Sequence, residues 1–335
     1  MTHLPTQLIG GVCVAILFFF GGWAGLRAAQ GPAGFRAARP LGGWLGFVAG
    51  RVARVRRGQV RASLRQAQIP EETADAMYAQ LGRGVFELLW LSLPGRRVLE
   101  PVVEISEQLA PWLSSGRGVV VATAHTANWD LAACAVAQRM RSAATRRGVA
   151  THRGVATHRS AEARAKLVVV TKHFSQRALD RLWQRLRGRY GVCLVSAGEV
   201  WSRAREELPR GSAICMIIDQ APERRRSTLR MEFLGRECDV DLAPALLAAR
   251  LRVPLIGVFP ERLASGRLRL SLAHSSEPPA KPGRSWALEA TRQLTQALEL
   301  AVRRRPAQWL WLHRRWKAPP SAAPRQAHRA ALSHQ

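Results

Sequence analysis

His125 and Asp130 are the residues from which chemistry is most readily built. They stand in the stretch Gly118-Val-Val-Val-Ala-Thr-Ala-His125-Thr-Ala-Asn128-Trp129-Asp130-Leu. A histidine takes up a proton near neutral pH, and a carboxylate beside it fixes its tautomer. Such a pair suits a general base acting on a hydroxyl. The spacing allows a plainer reading too. His125 is then a satisfied polar residue at a strand end, and Asp130 a negative charge at a helix start.

The elements around the pair sharpen the choice. Residues 119–121 are apolar and β-branched, and read as a strand buried on both faces. Residues 131–136 read as the first turns of a helix, with Asn128 or Asp130 as its cap. His125 then lies at the carboxyl end of a strand, where open α/β sheets place their ligands. A second polar pair, Asp219-Gln220, ends the apolar run 212–218. In a parallel sheet it faces the same edge as His125. Its plainer reading is a turn aspartate.

Further strands are expected at 167–170, 192–195, 229–233, 255–259 and 268–272. Helices are expected from Pro70, at 176–187, at 199–208 and at 287–302. Strands alternating with helices imply an α/β fold: a mainly parallel central sheet with helices on both faces.

Several groups of residues carry a family resemblance. His125-x-x-Asn128-Trp129-Asp130 after an apolar strand resembles the His-x4-Asp/Glu signature of glycerolipid acyltransferases. The Asn-Trp pair resembles more narrowly the bacterial acyltransferases of lipid A synthesis, the lauroyl/myristoyl family. Pro306-Ala-Gln308-Trp309-Leu-Trp311-Leu-His313-Arg314-Arg315-Trp316-Lys317 resembles that family's C-terminal Pro-Glu-Gln-Trp-x-Trp-x-His-Arg-Arg-Phe/Trp-Lys, with Ala307 in place of the acid. Asp219-Gln220 and Phe233-Leu-Gly235 resemble two further family elements. The resemblance runs from about Arg56 to Lys317. It departs at Ala127 and Asp130, where the family usually has Gly and Glu, and at residues 236–244.

What the resemblance implies is a glycerolipid-acyltransferase-like fold and a transfer of a fatty acyl chain from a thioester to a lipid hydroxyl. His125 would be the base and Asp130 would hold its imidazole. Asn128, Trp129, Asp219, Gln220, His313, Arg314 and Arg315 would contact substrate. Arg187 or Arg189, in an Arg-rich turn, would stabilise an oxyanion or bind a phosphate; a solvated basic turn is the other reading, and spacing does not choose between the two arginines. The donor implied is acyl-acyl carrier protein, and the acceptor a lipid A precursor or related glycolipid. Neither cofactor nor metal is implied. The Trp-rich end has two readings: rings at the lipid headgroup boundary, or rings packed on the core.

Composition bounds the alternatives. Lys+Arg number 51 against 23 Asp+Glu, a net charge of +28. That excess needs a polyanionic partner, whether an anionic membrane, a phosphorylated lipid, an acidic carrier protein or nucleic acid. No nucleic-acid-binding motif accompanies it, so a membrane-tethered polyanion binder ranks below an acyltransferase. A lysophospholipid or mannoside acceptor is the nearer rival. The five cysteines have no paired spacing and read as buried thiols of a reducing compartment.

Residues 4–26 carry no charge, and 8–26 are long enough for a helix across a bilayer core of about 30 Å. A cleaved signal peptide normally opens on basic residues, and only His3 is offered here. The arginines that follow imply the positive-inside orientation, with the rest of the chain in the cytoplasm of a bacterium, at its inner membrane. The division expected is a membrane anchor over 1–30, an acyltransferase domain over 31–317 and a disordered tail over 318–335. Residues 40–64 read as an amphipathic helix suited to anionic lipid. Arg147-Gly-Val-Ala-Thr-His152 repeats at once as Arg153-Gly-Val-Ala-Thr-His158, which reads as a local duplication in a surface loop or as a basic loop over the site.

Overall fold

A computed structural model describes residues 32–93, 98–151, 165–171, 177–222, 227–313 and 315–316. The expected N-terminal anchor, the second copy of the repeat, Arg314 and the tail lie outside the described residues. Among the described residues no helix is long and apolar enough to cross a membrane.

Helices α1 (Pro32–Phe47), α2 (Arg57–Gln66) and α3 (Thr73–Ser92) come first, with a π turn at Val48–Val52 between the first two. The single helix expected over 40–64 is therefore broken. Arg54 and Arg56 adopt left-handed backbone, with φ of 49° and 50°. Neither is a glycine or asparagine, so the break has no signal in the sequence.

Then follow β1 (Val103–Ile105), α4 (Ala110–Ser114), β2 (Val119–Thr123), α5 (Trp129–Thr151), β3 (Leu167–Val170), α6 (Arg177–Tyr190), β4 (Val192–Val195), α7 (Val200–Glu207) and β5 (Ala213–Ile217). A hairpin, β6 (Thr228–Phe233) and β7 (Arg236–Asp241), leads to α8 (Ala243–Leu251) and β8 (Leu255–Val258). Last come β9 (Glu261–Arg262), β10 (Leu268–Leu270), β11 (Leu272–Ser276) and α9 (Arg284–Arg304). Strand β7 occupies the stretch in which the sequence departs from the family pattern.

The central sheet has the order β11-β8-β2-β5-β3-β4 and is parallel except for β11. Strand β2 shows why its sequence is apolar throughout. Val120 and Ala122 enter one core with residues of α2, α8 and α9. Val119 and Val121 enter another with residues of α5 and α6. Both faces are covered, as the continuous Val run requires. A smaller sheet, β1-β10-β9, lies apart from the central one.

Candidate active site

The site is built by strand register. β2 and β5 are adjacent and parallel, with Thr123 opposite Ile217. Two residues further along each chain, His125 comes opposite Asp219. The Asp219 carboxylate takes hold of His125 twice: Oδ1 lies 2.9 Å from Nδ1, and Oδ2 accepts the His125 backbone N–H at 3.0 Å. Trp309 Nε1 donates to the same Oδ2 at 2.8 Å.

Asp219 is fully buried. Burial alone would raise its carboxyl, but electrostatic attraction to the His125 ring and the bonds from His125 and Trp309 prevail and hold it below the usual aspartate range. An ionised carboxylate only accepts, so Nδ1 carries the proton and Nε2 is left as the basic nitrogen. Gln220 Nε2 lies 3.4 Å from that nitrogen and 3.3 Å from His313 Nε2. The His125 ring packs edge-on against Trp129 and tilts against His313, with centroids 4.7 and 4.6 Å away.

Asp130 corrects the sequence expectation. The carboxylate on His125 Nδ1 is Asp219, while Asp130 accepts from Arg187 Nε at 2.8 Å. The cause is local. Asp130 lies in the first turn of α5, on the helix that leaves the strand end, and α6 presents Arg187 to it. Arg187 and Arg189 are also not in a loop, for α6 runs on through Tyr190. Arg189 donates to the Leu93 carbonyl, whereas Arg187 joins Asp130 in the wall of a pocket.

That pocket, a cavity of about 70 Å³ open at its mouth, is lined almost wholly by apolar side chains. Register gives it an axis. Thr123 and Ile217 stand at its upper level with Thr171, Val121 and Cys215 below them, and Leu167 and Val192 lowest. Four strand residues separate the first level from the last, about 13 Å at the usual rise. Trp129 lines the pocket and touches His125, so the histidine stands over its rim.

The remaining expected residues divide. Asn128 is buried and used internally. Its Oδ1 accepts from Leu131 N–H at 3.1 Å and caps α5, while its Nδ2 donates to Glu87 and to the Gly84 carbonyl. Arg315 is buried and donates to the carbonyls of Gln220 and Asp239, so a direct headgroup contact does not fit it. Its Nε and Nη2 have no hydrogen-bond partner among the described residues, and burial lowers its pKa. Trp309 and Trp311 are buried, which settles the segment Trp309 to Trp311 as packed on the core. Its backbone is stitched to the histidine segment: Ala127 N–H donates to Gln308 O and Leu310 N–H to His125 O.

One buried pair went unread in the sequence. Glu87 accepts from Arg262 at 2.6 Å as well as from Asn128. The signal available was an acid between Phe86 and Leu89 on the buried side of α3. Arg262 carries none.

A basic nitrogen oriented by a buried carboxylate, above a hydrocarbon-lined pocket in an α/β sheet, defines a protein equipped to handle an acyl chain beside a proton acceptor. The chain belongs to the bacterial lipid A biosynthesis acyltransferase family, whose model matches residues 14–165 and 160–318. It is a lipid acyltransferase. The two matched segments meet just after the duplicated hexapeptide. No curated protein matches the chain.

Proposed function

We propose that the protein moves a fatty acyl chain from acyl-acyl carrier protein to a hydroxyl of a lipid A precursor, at the cytoplasmic face of the bacterial inner membrane. His125 Nε2 removes the hydroxyl proton as the oxygen attacks the thioester carbonyl. Asp219 holds the imidazole in the required tautomer and stabilises its cationic form. In the resting site the Gln220 amide caps Nε2, and the acceptor hydroxyl takes its place. The acyl chain lies in the pocket below Trp129. Arg187 is the arginine assigned to the site, since it lines that pocket and Arg189 does not. Proton, oxygen and thiolate then balance: the ester C–O bond forms, the C–S bond breaks, and the proton leaves with the thiol.

The observation that carries this reading is the Asp219–His125 bond at 2.9 Å above an apolar pocket. The acidic carrier suits a chain of net charge +28. The test is transfer of an isotope-labelled acyl chain from carrier protein to lipid A precursor. His125→Ala should abolish it while the purified chain stays folded. Turnover near that of the parent chain would overturn the assignment. Lipid profiling of cells with and without the gene separates this acceptor from a lysophospholipid.

A further inference from the structure

Glu87 of α3 and Arg262 of β9 form an ion pair in the interior, at 1% and 4% exposure. Arg262 Nη2 donates to Glu87 Oε2 at 2.6 Å, and Nη1 lies 2.6 Å from Oε1. The guanidinium also donates from Nε to Gln80 of α3 at 3.1 Å and from Nη1 to the Gly266 carbonyl at 2.9 Å. Hydrophobic side chains of similar volume would stabilise such a place as well or better, so stability does not account for the pair. What its bonds reach does.

One partner reaches Asn128. Glu87 Oε2 accepts from Asn128 Nδ2 at 2.9 Å, and the oxygen of that amide caps α5. The other partner reaches Gln308. The Arg262 backbone N–H donates to Gln308 Oε1 at 2.6 Å, and Gln308 Nε2 donates back to the Arg262 carbonyl at 2.9 Å. The Gln308 carbonyl then accepts the Ala127 N–H at 2.8 Å. The turn between these two contacts needs holding. Ala127 is in left-handed backbone at φ 46°, and a strained residue keeps its conformation only where its surroundings fix it. His125 stands two residues before it. Trp129, which lines the pocket, stands two residues after it.

We propose that Glu87 and Arg262 are positioning residues: through Asn128 on one side and Gln308 on the other, the pair holds the 125–128 turn and so fixes His125 and Trp129 over the pocket. The pair acts through those two amides and takes no part in proton transfer itself. The inference rests on the reaction proposed above, with His125 as its base. A displacement of about 1 Å at a reacting group costs about a hundredfold in rate, so slight slack in the turn is enough to be read in kcat.

The test uses the full chain, well below the melting temperature of each variant. Glu87→Leu with Arg262→Met removes both charges together. Asn128→Ser keeps an oxygen to cap α5 and cuts the bond to Glu87. Each should lose about a hundredfold in kcat for acyl transfer and keep the parent KM. All three substitutions together should cost no more than about twofold beyond Glu87→Leu with Arg262→Met, since the link is already cut. Glu87→Gln with Arg262→Met returns a neutral acceptor to Asn128 and should recover about tenfold of the loss. Hydrogen exchange in peptides spanning 125–129 should quicken by about tenfold or more in Asn128→Ser, with β2 and α9 unchanged. Parent-like kcat in Asn128→Ser, losses that multiply, no recovery with Gln at 87, or unchanged exchange over 125–129 overturns the proposal. If Glu87→Leu with Arg262→Met does not fold, Asn128→Ser decides through kcat and exchange. A parent chain that transfers nothing sinks the reaction, and exchange in Asn128→Ser then decides the pair by itself.

Discussion

Asp219 holds His125 by both carboxylate oxygens, one on the ring at 2.9 Å and one on the backbone N–H at 3.0 Å. A two-point grip fixes the plane of the ring as well as the tautomer, and the register of β2 with β5 supplies it without any flexible segment. The nearer carboxylate in sequence, Asp130, is spent on Arg187. Asp219→Asn should therefore lower kcat by roughly 10³ to 10⁴, the scale of a lost tautomer-fixing carboxylate in a histidine system. The same substitution has a stability signature. A carboxyl whose folded pKa lies below its ordinary value stabilises the fold above about pH 4, and that contribution disappears as pH falls through the folded value. Acid unfolding of Asp219→Asn should be shallower than that of the parent chain. Parent-like kcat in Asp219→Asn would remove the carboxylate from the mechanism.

The Asp130–Arg187 pair makes a different prediction. Both side chains are nearly buried, at 7% and 12% exposure, in a pocket wall made of hydrocarbon. Removing either partner leaves a charge there with no counterion. Asp130→Leu alone should cost about 3 to 5 kcal/mol of unfolding free energy, and Asp130→Leu with Arg187→Met should recover most of it. Urea unfolding of the two single variants and the double variant measures the coupling. Additive losses would mean that the two charges do not depend on each other.

Those two carboxylates show how far the sequence could be read. The apolar run of β2 with a histidine at its end is legible because a strand buried on both faces needs nothing but Val and Ala, and polarity returns only at the edge. The partner of that histidine is not legible from spacing. It stands 94 positions away, and it meets His125 only because β5 inserts between β2 and β3. Local spacing points instead to Asp130, which the start of α5 carries to Arg187. The break at Arg54 and Arg56 escapes for a related reason, since arginine has no preference for left-handed backbone and its spacing signals none there. The Trp-rich end was ambiguous because one set of rings suits either a headgroup boundary or a core. The bond from Trp309 to Asp219 decides for the core.

Ala127 sits between His125 and the start of α5 at φ 46°, in the left-handed region. It is the position at which the family pattern usually shows glycine. A Cβ there costs roughly 1–2 kcal/mol. Glycine returns about 0.4–1 kcal/mol of that through its looser unfolded chain. Ala127→Gly should then stabilise the fold by about 1 kcal/mol and keep the Ala127 N–H bond to Gln308 O. The urea midpoint should rise with an unchanged slope. A fall in the midpoint would show that the Ala127 methyl group packs usefully enough to outweigh the backbone strain.

Cys215 lies one level below the rim of the pocket, two strand residues beneath Ile217 and beside Val121. An extended chain advances about 1.2 Å per bond, since three bonds span roughly 3.3–3.6 Å. The full depth of about 13 Å then takes about eleven carbons, and the distance to Cys215, about 7 Å, takes about six. A phenylalanine at 215 fills the lower part, and each methylene it excludes forfeits about 0.8 kcal/mol of burial. Cys215→Phe should lower kcat/KM for a donor of about twelve carbons by well over tenfold, while a donor of about six carbons loses little. The measurement is competition between the two donors in one reaction, which cancels any loss of folded enzyme. An unchanged ratio of products would mean that the acyl chain does not descend along β2 and β5, and the pocket would have to serve something else.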